Sequence, residues 1–502
     1  VRLYTRCVLP YENGKFPIVF IRTPYEPALN GAPCDAQKYE NDQFLRAGYA
    51  LVVQHTRGCG DSEGECVPYR ERNDGLDTLD IIRTLPFYMG EIYLTGGSYL
   101  ATVHLCYLDS VPSDVKAAAL FIQQDSMFSY QHHNGCCRSF CGFSWYLEMI
   151  KKSHPKLCSH TEATYRPYYK MMERAIGEDF PEFTRTLLSD TYDEFWQGQE
   201  NDHSVDTLDI PIMLVGGWFD FYTDGMLSMW ERLPEKTKQK SLFVMGPWGH
   251  STRAQGAEYP LENGDIPGDW AVRFFDSVRE GRRLDRFELG KMHYYSIGNG
   301  CWGTDIDTDT GERRLYFGAD GSLGDTCLHE GERTYEFDPD KPLNYYRYMN
   351  IYKAPDIGSA EGVLSFVSDI AQRDESFFGR IGWRMNIRTD CDDTAFFMRV
   401  YFVEDGKSYN LTQAITSVLH ACPDYRAGEE HVIEAFTSPI AFTLKKGCRI
   451  RVDISSHSDL YVPHTNTKEH WALAESVKVA TNTVICGANS YISLPVVGMS
   501  EI

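Results

Sequence analysis

Seven short apolar, β-rich runs recur through the first half of the chain, at residues 3–9, 17–25, 49–58, 92–96, 117–123, 210–217 and 241–246. Segments able to form helices stand between them, such as 100–108. Buried strands separated by helices call for a mostly parallel sheet covered on both faces, the α/β class. Between residues 126 and 206 the pattern changes to helical segments rich in Tyr, Phe and Trp, including 165–176 and 180–188. A helical block interrupting an α/β sheet predicts an inserted cap. After about residue 283 the texture turns all-β, with short strands expected at 314–317, 363–368, 395–402, 431–436 and 449–454. Turns such as Gly318-Ala319-Asp320-Gly321 separate them, which predicts a sandwich or jelly roll. The expected division is 1–125 and 206–283 for the α/β part, 126–205 for the cap and 284–502 for the β-rich part. A chain of 502 residues is too long for one core, so several domains are expected in any case.

The chemistry concentrates at the ends of those strands. Ser98 lies in Thr95-Gly96-Gly97-Ser98-Tyr99-Leu100-Ala101, directly after one apolar run and before a helical one. A nucleophile elbow needs this setting: a sharp strand-to-helix turn exposes the serine, and small neighbours let the helix pack closely. The strict G-x-S-x-G pattern is not met, because Leu100 takes the last place and the small residue, Ala101, follows it. In an α/β hydrolase the acid and the histidine come later in the chain, each at a strand end. Asp220 follows one run in Gly216-Gly217-Trp218-Phe219-Asp220. His250 follows the next in Met245-Gly246-Pro247-Trp248-Gly249-His250. Asp224 competes with Asp220 but lies farther from the strand end. His104 and His55 are predicted inside a helix and a strand, not at a strand end. A serine hydroxyl becomes nucleophilic when a neutral imidazole takes its proton, and the acid orients that imidazole. Ser98, His250 and Asp220 are therefore the predicted catalytic set.

Composition narrows the partners. Acidic residues outnumber Lys plus Arg by 71 to 49, a formal charge of −22, which disfavours nucleic acid and anionic lipid surfaces. No apolar run reaches the roughly 18–20 residues of a membrane span. The chain starts at Val1 without a charged-then-apolar signal pattern and already in strand-like sequence, so a missing leader or short segment is expected. Fifteen scattered cysteines point to a reducing, cytoplasmic setting. The densest patch, His132-His133-Asn134-Gly135-Cys136-Cys137 with Cys141, lacks the spaced pairs of a structural zinc site, and a thiol-rich loop is expected instead. No metal or other cofactor is expected.

Taken together, these segments resemble the cocaine esterase / X-Pro dipeptidyl-peptidase family of acyl hydrolases (CocE/NonD) over nearly the whole length. The matching segments, in family order, begin with Arg22-Thr23-Pro24-Tyr25, Arg57-Gly58-Cys59-Gly60-Asp61-Ser62-Glu63-Gly64 and Asp74-Gly75-Leu76-Asp77-Thr78-Leu79-Asp80. The Ser98, Asp220 and His250 motifs complete the set. The resemblance implies an α/β-hydrolase domain, a helical cap and a C-terminal jelly roll. It also implies an oxyanion hole made by the Tyr25 hydroxyl and the backbone N–H of Tyr99, and it allows a homodimer. Three departures stand out: Ala101 for the usual glycine, Cys59 where a threonine is expected, and Ser277-Val278 in place of a His-Trp pair.

The family spans esterases, α-amino acid ester hydrolases, cephalosporin-type acylases and X-Pro dipeptidases. With an aromatic-rich cap and no basic cluster, a small ester or amide with a compact apolar acyl group is the expected substrate. Aminoacyl or X-Pro specificity needs an acid near the pocket to hold an α-ammonium; Glu26 and Asp224 are acids near the motifs, and neither is singled out. Two rivals remain at this stage: a vestigial carbohydrate-binding protein, and a metallohydrolase.

Overall fold

The computed structural model describes every residue outside 26–42, 139–144, 148, 151–163, 305–309, 344–349 and 498–502. Glu26 and Cys141 therefore lie outside the described residues. The α/β part is built on a nine-stranded sheet. Its strands begin with β1 (Thr5–Val8), β2 (Phe16–Thr23), β3 (Ala50–His55), β4 (Tyr88–Gly97) and β5 (Val115–Phe121). A small hairpin follows, β6 (His132–His133) and β7 (Cys136–Cys137), which pair only with each other. The sheet resumes with β8 (Ile212–Gly217), β9 (Leu242–Gly246), β10 (Met292–Ser296) and β11 (Cys301–Thr304). The order is β1-β3-β2-β4-β5-β8-β9-β10-β11. From β3 to β10 every neighbour is parallel, while β1 and β11 are antiparallel edges.

Burial explains why these runs form strands. Every residue of β2, β8 and β9 is buried, as expected for a parallel sheet covered on both faces. The helix Trp270–Glu280 covers one face with Phe274 and Phe275 fully buried. Its departure from the family pattern is accommodated locally: the Ser277 hydroxyl is buried and donates to the Phe274 carbonyl at 2.7 Å.

The α/β sheet runs farther than the sequence reading placed it. β10 and β11 lie beyond residue 283, yet β10 pairs in parallel with β9, Met292 opposite Phe243. Strand texture alone cannot tell which sheet a strand joins; the pairing partner decides, and here it is 46 residues or more upstream.

Between β5 and β8 the other described elements, besides the β6–β7 hairpin, are short helices, including Met171–Ile176, Pro181–Leu188 and Glu194–Gln197. The helix expected from residue 165 starts later, at Met171, after a 3₁₀ turn Tyr168–Lys170. The C-terminal part is a jelly-roll β-domain of thirteen strands joined by strand pairing. Its longest ladder couples Ala395–Glu404 to Lys407–Ser417, with a bulge between Val400 and Tyr401.

Candidate active site

The strand β4 ends at Gly97 and the helix Tyr99–Leu105 begins at once, leaving Ser98 as the single residue of the turn. Ser98 has φ 55° and ψ −131°, a conformation that costs a non-glycine residue about 1–3 kcal/mol. Its N–H donates to the Phe121 carbonyl at 2.9 Å, and its own carbonyl accepts from Ala101 N–H at 2.8 Å. Gly96 makes the turn possible, because a Cβ there would stand 2.3 Å from the Leu100 carbonyl oxygen. Ala101 is fully buried, so the crossing has room for its methyl.

Asp220 and His250 reach the same point from β8 and β9. The loops after those strands are tied together: Trp218 N–H donates to the Gly246 carbonyl at 2.9 Å and Phe219 N–H to the Trp248 carbonyl at 3.0 Å. The approach is too close for a side chain, since a Cβ on Gly217 would lie 2.1 Å from the Trp248 carbonyl oxygen. His250 Nδ1 stands 3.2 and 3.4 Å from the two carboxylate oxygens of Asp220, and Nε2 stands 2.8 Å from Ser98 Oγ. An ionised carboxylate only accepts, so Nδ1 carries the proton and Nε2 is left to accept from the serine hydroxyl. Asp220 is 1 % exposed, while the His250 side chain retains 24 %. The Phe221 ring stacks on the imidazole at 4.6 Å and 22°. Asp224 points elsewhere: it pairs with Arg380 and accepts from the Ser438 hydroxyl at 2.5 Å. His104 is a satisfied core residue, bonded to the Tyr107 hydroxyl and the Thr95 carbonyl.

Tyr25 follows β2, and Trp145 Nε1–H donates to its hydroxyl at 3.2 Å. The Trp145 ring packs 4.7 Å from Tyr99, whose own hydroxyl accepts from Tyr69 N–H at 2.9 Å. Tyr25 and Tyr99 are thus linked through one indole. Burial pushes the Tyr99 and Tyr69 phenols well above their usual range, so both stay protonated. As the first residue of its helix, Tyr99 carries an N–H with no intrahelical acceptor.

Other motif residues form the frame beneath. Arg22 is fully buried; Nε donates to Gln54 Oε1 at 2.9 Å and a terminal nitrogen lies 3.2 Å from Glu71 Oε2. Arg57 grips Asp74 through two bonds, Nε to Oδ2 at 2.9 Å and a terminal nitrogen to Oδ1 at 2.5 Å. Burial raises the Glu71 carboxyl to about 7, against the opposing pull of Arg22. Between pH about 4.5 and 7 the folded chain then holds a proton that the unfolded chain has released. Glu71 should therefore make stability fall as pH rises through that window, by up to about 3 kcal/mol, with no further change above it. Denaturant unfolding from pH 5 to 8 should show a flatter profile for Glu71→Gln than for the wild type. Parallel profiles would exclude Glu71 as the source.

A small cavity of about 20 Å³, room for a water or two, opens beside these groups. Tyr69, Met127, Tyr130, Tyr146, Phe195 and Trp196 line it, with Gln131, Thr186, Gln199 and Glu182 as the polar members. Tyr69 meets the Tyr99 ring at 5.6 Å, and Tyr130 meets Phe221 at 5.4 Å and Tyr222 at 5.0 Å. Two lining residues thereby touch Tyr99, next to Ser98, and Phe221, which stacks on His250. Sequence reasoning missed Tyr69, Trp145, Phe221 and Glu182, which come together only in the folded chain. Phe221 alone carried a signal, its place next to Asp220.

The His-Cys patch is a docking hairpin. Asn134 Nδ2–H donates to the Ile415 carbonyl at 2.9 Å, Ser417 N–H donates to the Asn134 carbonyl at 2.9 Å, and Val462 N–H donates to the Cys137 carbonyl at 2.9 Å. Among the described residues no group of three or more His, Cys, Asp or Glu is arranged to hold a metal ion. The twelve cysteines among them are all free.

A parallel sheet with a serine at a strained strand-to-helix turn, met by an acid and a histidine from the next strand ends, defines the α/β-hydrolase class. The chain belongs to the X-Pro dipeptidyl-peptidase (S15) family, whose sequence pattern matches residues 1–252. It is 23 % identical over 528 aligned positions to the cocaine esterase of Rhodococcus sp. (strain MB1 Bresler), covering 92 % of this chain and 87 % of that one. Among solved structures it is similar to an aminopeptidase from a marine sediment Thaumarchaeota archaeon, with a TM-score of 0.83 at 23 % identity, covering 99 % of this chain and 94 % of the other. It is also similar to an α-amino acid ester hydrolase, with a TM-score of 0.79 at 21 % identity and coverage of 98 % and 94 %. The family and these relatives are hydrolytic enzymes, which places the chain among hydrolases of ester or peptide bonds and sets the vestigial binding protein aside. No helix among the described residues is long and apolar enough to cross a membrane.

Proposed function

We propose that the chain is a serine acyl hydrolase acting on small esters or amides through an acyl-enzyme. The hydrogen-bond chain from Asp220 through His250 to Ser98 carries this reading. His250 Nε2 takes the Ser98 proton as Oγ bonds to the acyl carbon, and Asp220 stabilises the imidazolium. The oxyanion is held by the Tyr25 hydroxyl and the Tyr99 N–H. Collapse breaks the bond to the leaving alcohol or amine, which receives the proton from His250. Water then attacks the acyl-serine, His250 again takes and returns a proton, and the free acid leaves. Residues 126–205 serve as the cap, and the free thiols support a reducing, cytoplasmic setting.

The test is covalent labelling with a fluorophosphonate followed by peptide mapping. Modification confined to Ser98 is the expected result; an unlabelled chain, or label on another residue, would overturn the assignment.

The aromatic lining of the cavity favours a compact apolar acyl group. Glu182 supports a second reading, because it lines the same cavity and its charge raises the Tyr146 phenol. A single negative charge there suits an acyl group with an α-ammonium, as in aminoacyl esters or X-Pro peptides. On this reading Glu182→Gln should lower kcat/KM for aminoacyl p-nitrophenyl esters about 10- to 150-fold, a charged hydrogen bond's worth, and leave the deaminated esters unchanged. Equal effects on both series would remove the ammonium role and leave the apolar acyl preference.

A further inference from the structure

Behind the Asp220–His250 pair lies a buried polar cluster that the proposed chemistry does not use. Arg138, immediately after the docking hairpin, is its centre and is only 4 % exposed. One terminal nitrogen donates to the Phe221 carbonyl at 2.9 Å, Nε donates to the Tyr461 hydroxyl at 3.2 Å, and the other terminal nitrogen donates to His133 Nδ1 at 3.3 Å. Burial, then Arg138 itself, push His133 down to about 3, so its ring is neutral and able to accept. Asp224, paired with Arg380 and Ser438, supplies negative charge nearby.

These contacts join three parts of the chain. His133 comes from the hairpin and Arg138 directly follows it, Phe221 comes from the loop that carries Asp220, and Tyr461 from the jelly-roll domain. Phe221 matters because its ring stacks on the His250 imidazole at 4.6 Å. Its backbone is held by the guanidinium, so the position of the ring depends on a residue anchored in another domain.

We infer that Arg138 is a positioning residue for His250: anchored on Tyr461, it holds the Phe221 carbonyl and with it the ring that backs the imidazole. This inference rests on the reading of His250 as the general base. A guanidinium suits the task because its rigid planar fork donates in fixed directions from three separate nitrogens, whereas an ammonium's three donors share one rotatable nitrogen. With Arg138 so deeply buried, water is poorly placed to replace the lost donor at the Phe221 carbonyl.

The experiment compares Arg138→Met, Arg138→Lys, Phe221→Leu and the Arg138→Met/Phe221→Leu double variant on a p-nitrophenyl ester. Active sites are counted by fluorophosphonate titration run to completion. A small displacement of a catalytic group costs up to about 100-fold, so Arg138→Met should lose roughly 10- to 100-fold in kcat with KM little changed. Arg138→Lys should recover part of that loss. The double variant should be no slower than the worse single one, because both act on the same ring. Losses that multiply in the double variant would overturn the inference. So would a lowered melting temperature with normal kcat per titrated site, which marks a purely structural residue. Should Arg138→Met not fold, Tyr461→Phe provides the same reading: a smaller kcat loss, absent in the Phe221→Leu background. A loss that persists there would count against the inference. The underlying reading fails separately, if Ser98→Ala stays active.

Discussion

Ser98→Ala is expected to lower p-nitrophenyl ester hydrolysis on the order of 10⁴- to 10⁶-fold while leaving the melting temperature nearly unchanged. The substitution removes the oxygen that lies 2.8 Å from His250 Nε2 and little else. Ser98 already occupies a positive-φ turn, and alanine meets the same backbone strain, so the fold has no new cost to absorb. What survives should be the slow attack of water assisted by the oxyanion donors alone. A variant that kept a tenth or more of the activity would show that another residue forms the acyl intermediate, and the mechanism above would fall with it.

The second large effect is expected at Asp220. Asp220→Asn should cost about 10⁴-fold in kcat, because an amide presents N–H as readily as oxygen to His250 Nδ1. The imidazole then turns to the tautomer with its proton on Nε2, where it can no longer accept from Ser98. Asp224→Asn is the natural comparison, four residues along, less buried, and likewise held in polar contacts. Its carboxylate bonds Ser438 and Arg380, not His250, so its loss should appear mainly as lowered stability, with kcat within about tenfold of wild type. Steady-state kinetics and thermal melts of both variants settle the matter. Equal losses of kcat would mean that the identity of the orienting acid is wrong.

Much of this site was legible before any fold was known, for a physical reason. A nucleophile elbow is a local structure: strand, one strained residue, helix. Its requirements are written within seven positions, Thr95 to Ala101. Asp220 and His250 were found by the same logic, since parallel strands deliver their C-terminal ends to one edge of the sheet. The address of a residue at a strand end is a sequence property, even when its partner is far away. His104 has no such address, and the structure gives it two core partners.

Other features were out of reach. The His-Cys patch reads in sequence as a thiol-rich loop, whereas its docking against Ile415, Ser417 and Val462 depends on residues some 280 or more positions later. The edge of the α/β sheet was misplaced because β10 and β11 look like any short strands until their neighbour is known. Glu182 was one exposed acid among many, and only the folding of its helix onto Tyr146 brought it to the cavity.

The linear order of residues by itself determined the class of the fold, the strained serine, and the strand-end positions of its acid and histidine. Each of these depends on contacts within one turn or on the direction in which parallel strands run. Tertiary structure alone decided what surrounds them: the indole joining Tyr25 to Tyr99, the Phe221 ring against His250, the guanidinium of Arg138 and the cavity beneath the cap. Those contacts join segments that share no local pattern, and packing between distant surfaces is the only thing that selects them.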